Sequence, residues 1–176
     1  MTETPQDFDF DAWLDGAERP ERAVTVYQKA NLIADLDALE SRILIAEEEE
    51  GDPEFERQLS SMTESQKLQS EYRKLAQQFH DSALTIRVQG RSDDEKRGLA
   101  QANSSATGTD LAYVILADAV TSPRATPEQL RRLEKKIGAA QFGLVLAAFK
   151  NASESIPSVS ADFLPKPSTR GDGGES

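Results

Sequence analysis

The sequence predicts a mainly α-helical fold with a small two-stranded antiparallel β element: a strand, helical hairpin, strand module followed by a small C-terminal helical bundle. Three observations lead there. Residues 22–28 and 84–88 are short, β-branched or alternating runs of the kind that suit strands. The segments between and after them repeat their apolar residues every three or four positions, which is the helical period. Serine and threonine caps followed three residues later by glutamate or glutamine mark where later helices begin.

The opening segment, residues 1–21, reads as a flexible acidic tail with one adhesive stretch. It contains Pro5, Gly16 and Pro20, yet Phe8, Phe10, Trp13 and Leu14 are interleaved with its carboxylates. Two readings stay open for these aromatics: they tuck against the protein's own core, or they dock on a partner. Each aromatic, once buried, contributes roughly 1.5–3 kcal/mol. Phe8, Phe10, Trp13 and Leu14 are therefore the candidate partner-binding residues.

Residues 22–91 form the predicted strand, helical hairpin, strand module. After the strand at 22–28, Leu32, Leu36, Leu39 and Ile43 recur at steps of four, three and four, with Ile33 and Leu44 widening the stripe. This helix is expected to end near Glu47. Four consecutive glutamates crowd negative charge at a helix C-terminus, against the dipole, and Gly51, Asp52 and Pro53 follow. A second pattern carries Phe55, Leu59 and Met62, then Leu68, Tyr72, Leu75 and Phe79, and ends near His80. Its register skips between Met62 and Leu68, near Ser60, Ser61 and Thr63, so one continuous helix is expected, with a kink or two shorter helices as the alternative. Leu84, Ile86 and Val88 then alternate with polar residues as a second strand. A helical hairpin returns the chain to its starting end, so the two strands can lie antiparallel. Two strands alone are marginal, so the element needs helical cover, a partner's strand, or both.

Residues 92–153 are expected to form the helical bundle. Ser92 and Glu95 cap a short helix to about Asn103, and a small polar loop follows. Asp110 opens a helix containing Leu111, Val114, Ile115, Ala119 and Val120, closed by Ser122 and Pro123. Thr126, Pro127 and Gln129 open the next, which carries Leu130, Leu133 and Ile137 to Gly138. The last helix, from Ala139 to about Asn151, presents Phe142, Leu146 and Phe149. Residues 154–176 are rich in proline, serine and glycine and are expected to be disordered.

Composition excludes much chemistry. Twenty Lys and Arg against 31 Asp and Glu give a net charge of −11. Such a balance repels phosphate backbones, so proteins or basic segments are better partners than nucleic acid. No cysteine is present, and a single histidine rules out a multi-histidine metal cluster within one chain. The longest apolar stretches, residues 111–117 and 143–149, fall well short of the roughly 18–20 residues that cross a bilayer, so no membrane partner is expected. With no charged-then-apolar opening segment, the expectation is a soluble protein that stays inside the cell that makes it.

His80, Asp81 and Ser82 hold the letters of a hydrolase triad, but adjacent residues do not generally align into a relay, and no GxSxG surrounds them. The glutamate run lacks the spaced ligands and tight glycine of a calcium loop. Arg131, Arg132, Lys135 and Lys136 form a dense basic group, explained by a helix C-terminus. The same face is also suited to an acidic partner segment, including the protein's own N-terminal tail. No catalytic, metal or cofactor constellation stands out, and no cofactor is expected. A binding protein is favoured over an enzyme.

The order of features resembles a known family. The acidic aromatic opening FDFDAWLDGAERPERAV, a hairpin beginning ANLIADLDALESRI, the strand ALTIRVQGRS, the pattern TPEQLRRLEKKIGAAQFGLVLAAFKNAS and a VSADF-containing tail together resemble tail assembly chaperones of long-tailed bacteriophages, especially siphophages of actinobacteria. The segment after Arg91 departs from that family in lacking aromatic and proline residues. The resemblance implies a non-enzymatic assembly factor that binds and solubilises the tape measure protein, possesses multiple copies per partner, and contacts the tail tube protein in passing. It implies action in the host cytoplasm and absence from the mature virion. It also implies a longer frameshifted product, for which the C-terminal tail would be a harmless joint. Two other classes fit an acidic chain of this size: a DNA-mimic inhibitor, and a virion structural or scaffolding subunit.

Overall fold

The computed structural model describes residues 8–50 and 63–156. Among them the order is α1 (Phe10–Asp15), β1 (Glu21–Tyr27), α2 (Leu32–Glu50), α3 (Glu64–Asp81), β2 (Ala83–Gln89), α4 (Asp93–Ala102), α5 (Thr109–Ala119), β3 (Val120–Ser122) and α6 (Pro127–Glu154). The fold is mainly helical with a small antiparallel sheet, as the period analysis predicts. The sheet has three strands in the order β1-β2-β3 rather than two. The third is Val120–Ser122, which the sequence reading assigned to a helix end. Its three residues are too short to show a period of two, and they pair at Arg87 and Val88 across an irregularity in register.

β1 and β2 pair from Glu21 with Gln89 to Tyr27 with Ala83, so the strands on either side of the hairpin are antiparallel neighbours. Directly opposite residues share a face. Val24, Val26, Leu84, Ile86 and Val88 therefore point to one side and Ala23, Thr25, Ala83, Thr85 and Arg87 to the other. The first side is covered by the second half of α6, through Phe142, Val145 and Ala148, with α5 behind it through Tyr113 and Leu116. Val88, Val120 and Val145 are wholly buried there. The opposite face is solvated, and Thr25 Oγ1 meets Thr85 Oγ1 at 3.1 Å across it.

The hairpin α2–α3 is an arm with its own small core of Leu39, Ala46 and Leu68, flanked by Ile43, Tyr72 and Leu75. It is joined to the sheet where the rings of Tyr27 and Phe79 stack at 4.2 Å. Contrary to expectation, α2 continues through all four glutamates. The reason lies on α3: Glu50 accepts the backbone N–H of Ser65 (2.8 Å) and its hydroxyl (2.6 Å), and Glu47 accepts from Gln69 Nε2 (2.7 Å). The negative end of α2 thus meets the positive end of α3, and the two dipoles are satisfied together. These bonds hold the Glu50 carboxyl below its ordinary pKa, the Ser65 hydroxyl first and its N–H second. The expected helical residues Phe55, Leu59 and Met62 lie outside the described residues.

Capping boxes occur at Thr63 with Gln66, Ser92 with Glu95, and Thr126 with Gln129. α6 is two helices across a kink at Gly138, whose φ of 84° and ψ of 159° lie outside the range other residues adopt without strain. The predicted break at Gly138 is therefore present. The final helix runs on to Glu154, and its buried stripe is Phe142, Val145, Ala148 and Ala152, with Leu146 turned outward. A second glycine, Gly90, sits where β2 ends against α6, and a Cβ there would run into the Ala152 carbonyl. Arg91 ties the same corner together: its N–H donates to Ser153 Oγ (3.1 Å) and its Nε to Asp118 (2.6 Å). The expected tail beyond Ile156 lies outside the described residues.

Candidate partner-binding site

Phe10 and Trp13 sit on a short helix, and Phe8 lies just before its cap. Asp9 caps it by accepting the N–H of Ala12 (3.0 Å), and Gly16 closes it. Phe10, Trp13 and Leu14 are spaced i, i+3 and i+4, so they share one face. Their rings associate with one another: Phe8 lies 6.3 Å from Phe10, which stacks on Trp13 at 5.9 Å. They do not tuck into the core. Phe8, Phe10, Trp13 and Leu14 are 50%, 59%, 55% and 48% exposed. The structure thus brings the four predicted partner-binding residues together as one exposed apolar cluster, flanked by Asp11 and Asp15.

A second apolar surface was not singled out by the sequence. Between the hairpin ends of β1 and β2 and the first half of α6 lies an open groove of ≈ 590 Å³ with Val26, Leu84, Leu133 and Ile137 among its lining residues. It continues into a hollow of ≈ 200 Å³ that shares Leu84 and Leu133 and reaches Pro123. The main groove falls within the roughly 300–1,000 Å³ of ordinary ligand clefts, large enough for bulky side chains of a peptide. The kink at Gly138 separates the half of α6 that lines this groove, and that also adds Leu130 to the core, from the half that carries Phe142, Val145 and Ala148. Leu133 and Ile137, four residues apart, look like core in the sequence; in the fold both are only partly covered. Arg132 and Lys136 stand beside them with the same spacing.

The basic group divides in function. Arg131 pairs with Asp110, lies 3.9 Å from Glu128, and sits 5.3 Å over the Tyr113 ring. Arg132 and Lys136 line the groove instead, opposite Asp81, whose Oδ1 accepts from Gln77. A third uncovered surface is the outer side of the arm, where Ile33, Leu44 and Ile45 are exposed. The sequence placed Ile33 and Leu44 in the buried stripe; α3 covers only the narrower Leu39, Ile43 and Ala46 line.

The outer edge of β1 is partly closed by a side chain. Gln28 N–H bonds Ser82 O, and Gly90 N–H bonds Pro20 O, so the even-numbered residues of β1 bond to β2 and the odd-numbered ones face outward. At Tyr27 this outward pair is met by Gln141: Tyr27 N–H donates to Oε1 (2.7 Å), and Nε2 donates to Tyr27 O (3.1 Å). An amide thus stands where a fourth strand would pair. Nothing in the sequence marks Gln141, because its role depends on a contact between residues 114 positions apart.

Of the triad letters, Ser82 serves helix termination. Ser82 Oγ donates to Phe79 O (2.7 Å) and accepts the N–H of Lys29 (3.1 Å). Among the described residues, no group of three or more His, Asp or Glu is placed to hold a metal ion, and no helix is long and apolar enough to cross a membrane. Carboxylate pKa values are lowered where donors converge. Glu95 falls to about 2, chiefly through the Ser92 N–H, then Arg19. Glu21 is lowered by Thr121 and then Arg87. No protein-family model, curated protein or solved structure matches the chain.

Proposed function

We propose that this chain is a non-enzymatic tail assembly chaperone of a long-tailed phage, which binds and solubilises the tape measure protein while tail tube subunits assemble around it. One observation carries the reading: α1 gathers Phe8, Phe10, Trp13 and Leu14 into an apolar cluster left about half exposed on a body of net charge −11. An exposed aromatic cluster rimmed by charge is the form of a protein-docking surface. Burying one such side chain contributes roughly 1.5–3 kcal/mol, so the cluster together supports reversible capture of an apolar helix face. The surrounding carboxylates keep the resulting complex soluble. The open groove and the outer arm add further apolar surface, and the order of sequence features named above supplies the choice of partner.

Co-expression of the full chain with the tape measure protein tests the proposal. The expected result is a soluble complex, with the soluble fraction of the tape measure falling when Trp13→Ala is introduced. Solubility of the tape measure that is the same with and without this chain refutes the function. An unchanged result for Trp13→Ala alone refutes the role of α1.

A further inference from the structure

The geometry points to the groove beside the first half of α6 as the seat for α1 of a second copy of this chain. The two surfaces match in kind. The groove presents Val26, Leu84, Leu133 and Ile137, with Arg132 and Lys136 along its rim; Asp81 is its one lining carboxylate, bonded to Gln77, so the charge of the lining remains positive. Neither cation is joined to a carboxylate among the described residues. α1 presents Phe10, Trp13 and Leu14 on one face, and Asp11 and Asp15 beside them. Neither of these carboxylates is held in an ion pair there either.

They also match in spacing. Arg132 and Lys136 are four residues apart on a helix, as are Asp11 and Asp15, so each pair is separated by about 6 Å along its axis. An acidic helix laid beside α6 can therefore meet both cations while its apolar face turns into the groove. In a chain of net charge −11, most surfaces of two copies repel. This strip of positive charge is where an acidic helix gains instead.

The tether decides which copy supplies α1. Arg19 is paired with Glu95, and Pro20 O accepts the N–H of Gly90, so the chain is anchored at the far end of β1 from the groove. From Asp15 to Arg19 the chain spans at most about 14 Å. The helix adds about 3 Å to its middle at Trp13, about 17 Å in all, whereas from Arg19 to Val26, on the near side of the groove, the extended chain covers about 23 Å. With that anchor in place, α1 does not reach its own groove. A helix-in-groove contact between two copies either closes as a reciprocal pair or continues head-to-tail, and in both forms a copy can give one helix and receive one. A foreign partner that takes α1, as proposed above, competes with the second copy for the same face, so this inference is tested on the chain alone and stands or falls separately from that reading.

Trp13 is the chain's one tryptophan, so its emission reports where α1 sits. Sedimentation of the full chain is expected to show average mass rising with concentration, with Trp13 emission moving to the blue in parallel. Arg132→Glu with Lys136→Glu blocks the seat; Asp11→Lys with Asp15→Lys spoils the helix. Each double variant alone is expected to associate at least about tenfold more weakly than the parent. Combining all four changes in one chain restores association. Circular dichroism confirms that these surface variants remain folded. A chain that stays monomeric throughout overturns the inference. So does a blue-shifted Trp13 in a monomer, which would place α1 on its own body. Association insensitive to either double variant, or not restored by combining them, overturns it equally.

Discussion

Replacing Gln141 by alanine removes the side chain that closes the outer edge of β1 at Tyr27. Two hydrogen bonds disappear, from Tyr27 N–H to Oε1 at 2.7 Å and from Nε2 to Tyr27 O at 3.1 Å. Each is worth about 1 kcal/mol net in a partly buried setting, giving about 2 kcal/mol for the pair. Alanine returns a few tenths through its better helix propensity, about 0.4 kcal/mol. The expected loss is thus near 1.5 kcal/mol, and a Tm lower by about 3–6 °C for a domain of this size. Urea unfolding followed by far-ultraviolet circular dichroism measures it. Gln141→Glu sharpens the test, because a carboxylate still accepts from Tyr27 N–H but cannot donate to Tyr27 O and sets negative charge against it. At neutral pH its loss should equal or exceed that of alanine. If both variants fall within about 0.5 kcal/mol of the parent, the amide is not sealing the edge.

Glu95 has its pKa lowered to about 2 in the fold, against an ordinary value of 4.5. Its contribution to stability is therefore fully present above about 4.5 and is lost as pH falls toward 2; Glu95→Gln should flatten the acid limb of a stability profile in that window. Gly90→Ala should destabilise by at least about 1–3 kcal/mol, since the new methyl group meets backbone rather than a side chain that can move. A denaturation midpoint equal to the parent's would show that β2 and the end of α6 can separate freely. Gly138→Ala forces a side chain onto a φ of 84° and should cost about 1–3 kcal/mol in urea unfolding. An unchanged midpoint would mean that the kink is not held in that geometry.

Much of the fold was legible because its signals are local. The boxes at Ser92 and Thr126, the stop at Gly138 and the alternation around Ile86 each depend on residues within a few positions. What was illegible depends on distant partners. Glu47–Glu50 look like a helix breaker until Ser65 and Gln69 supply donors from the next helix. Val120 to Ser122 look like a fraying helix end until Arg87 and Val88 offer a strand edge. Leu146 looks like core because it is four residues from Phe142, but the helix buries Val145 instead. The candidate site divides the same way. Phe8, Phe10, Trp13 and Leu14 were visible as large apolar residues out of place in an acidic segment. The groove was not, because Leu133 and Ile137 carry an ordinary core pattern. The trace that could have revealed it was Arg132 and Lys136 repeating beside them at the same interval.

The arm has a bearing on how the sheet assembles. β1 and β2 are neighbours in space, but the whole of α2 and α3 lies between them in the sequence. A disordered connection of that length would carry a large closure entropy, and strand pairing would be slow. Once α2 has zipped against α3, the two strand ends are delivered side by side and the effective loop nearly vanishes. The helical pair is then a splint for the sheet: loosening Leu39 or Leu68 should retard refolding of strands that neither residue touches.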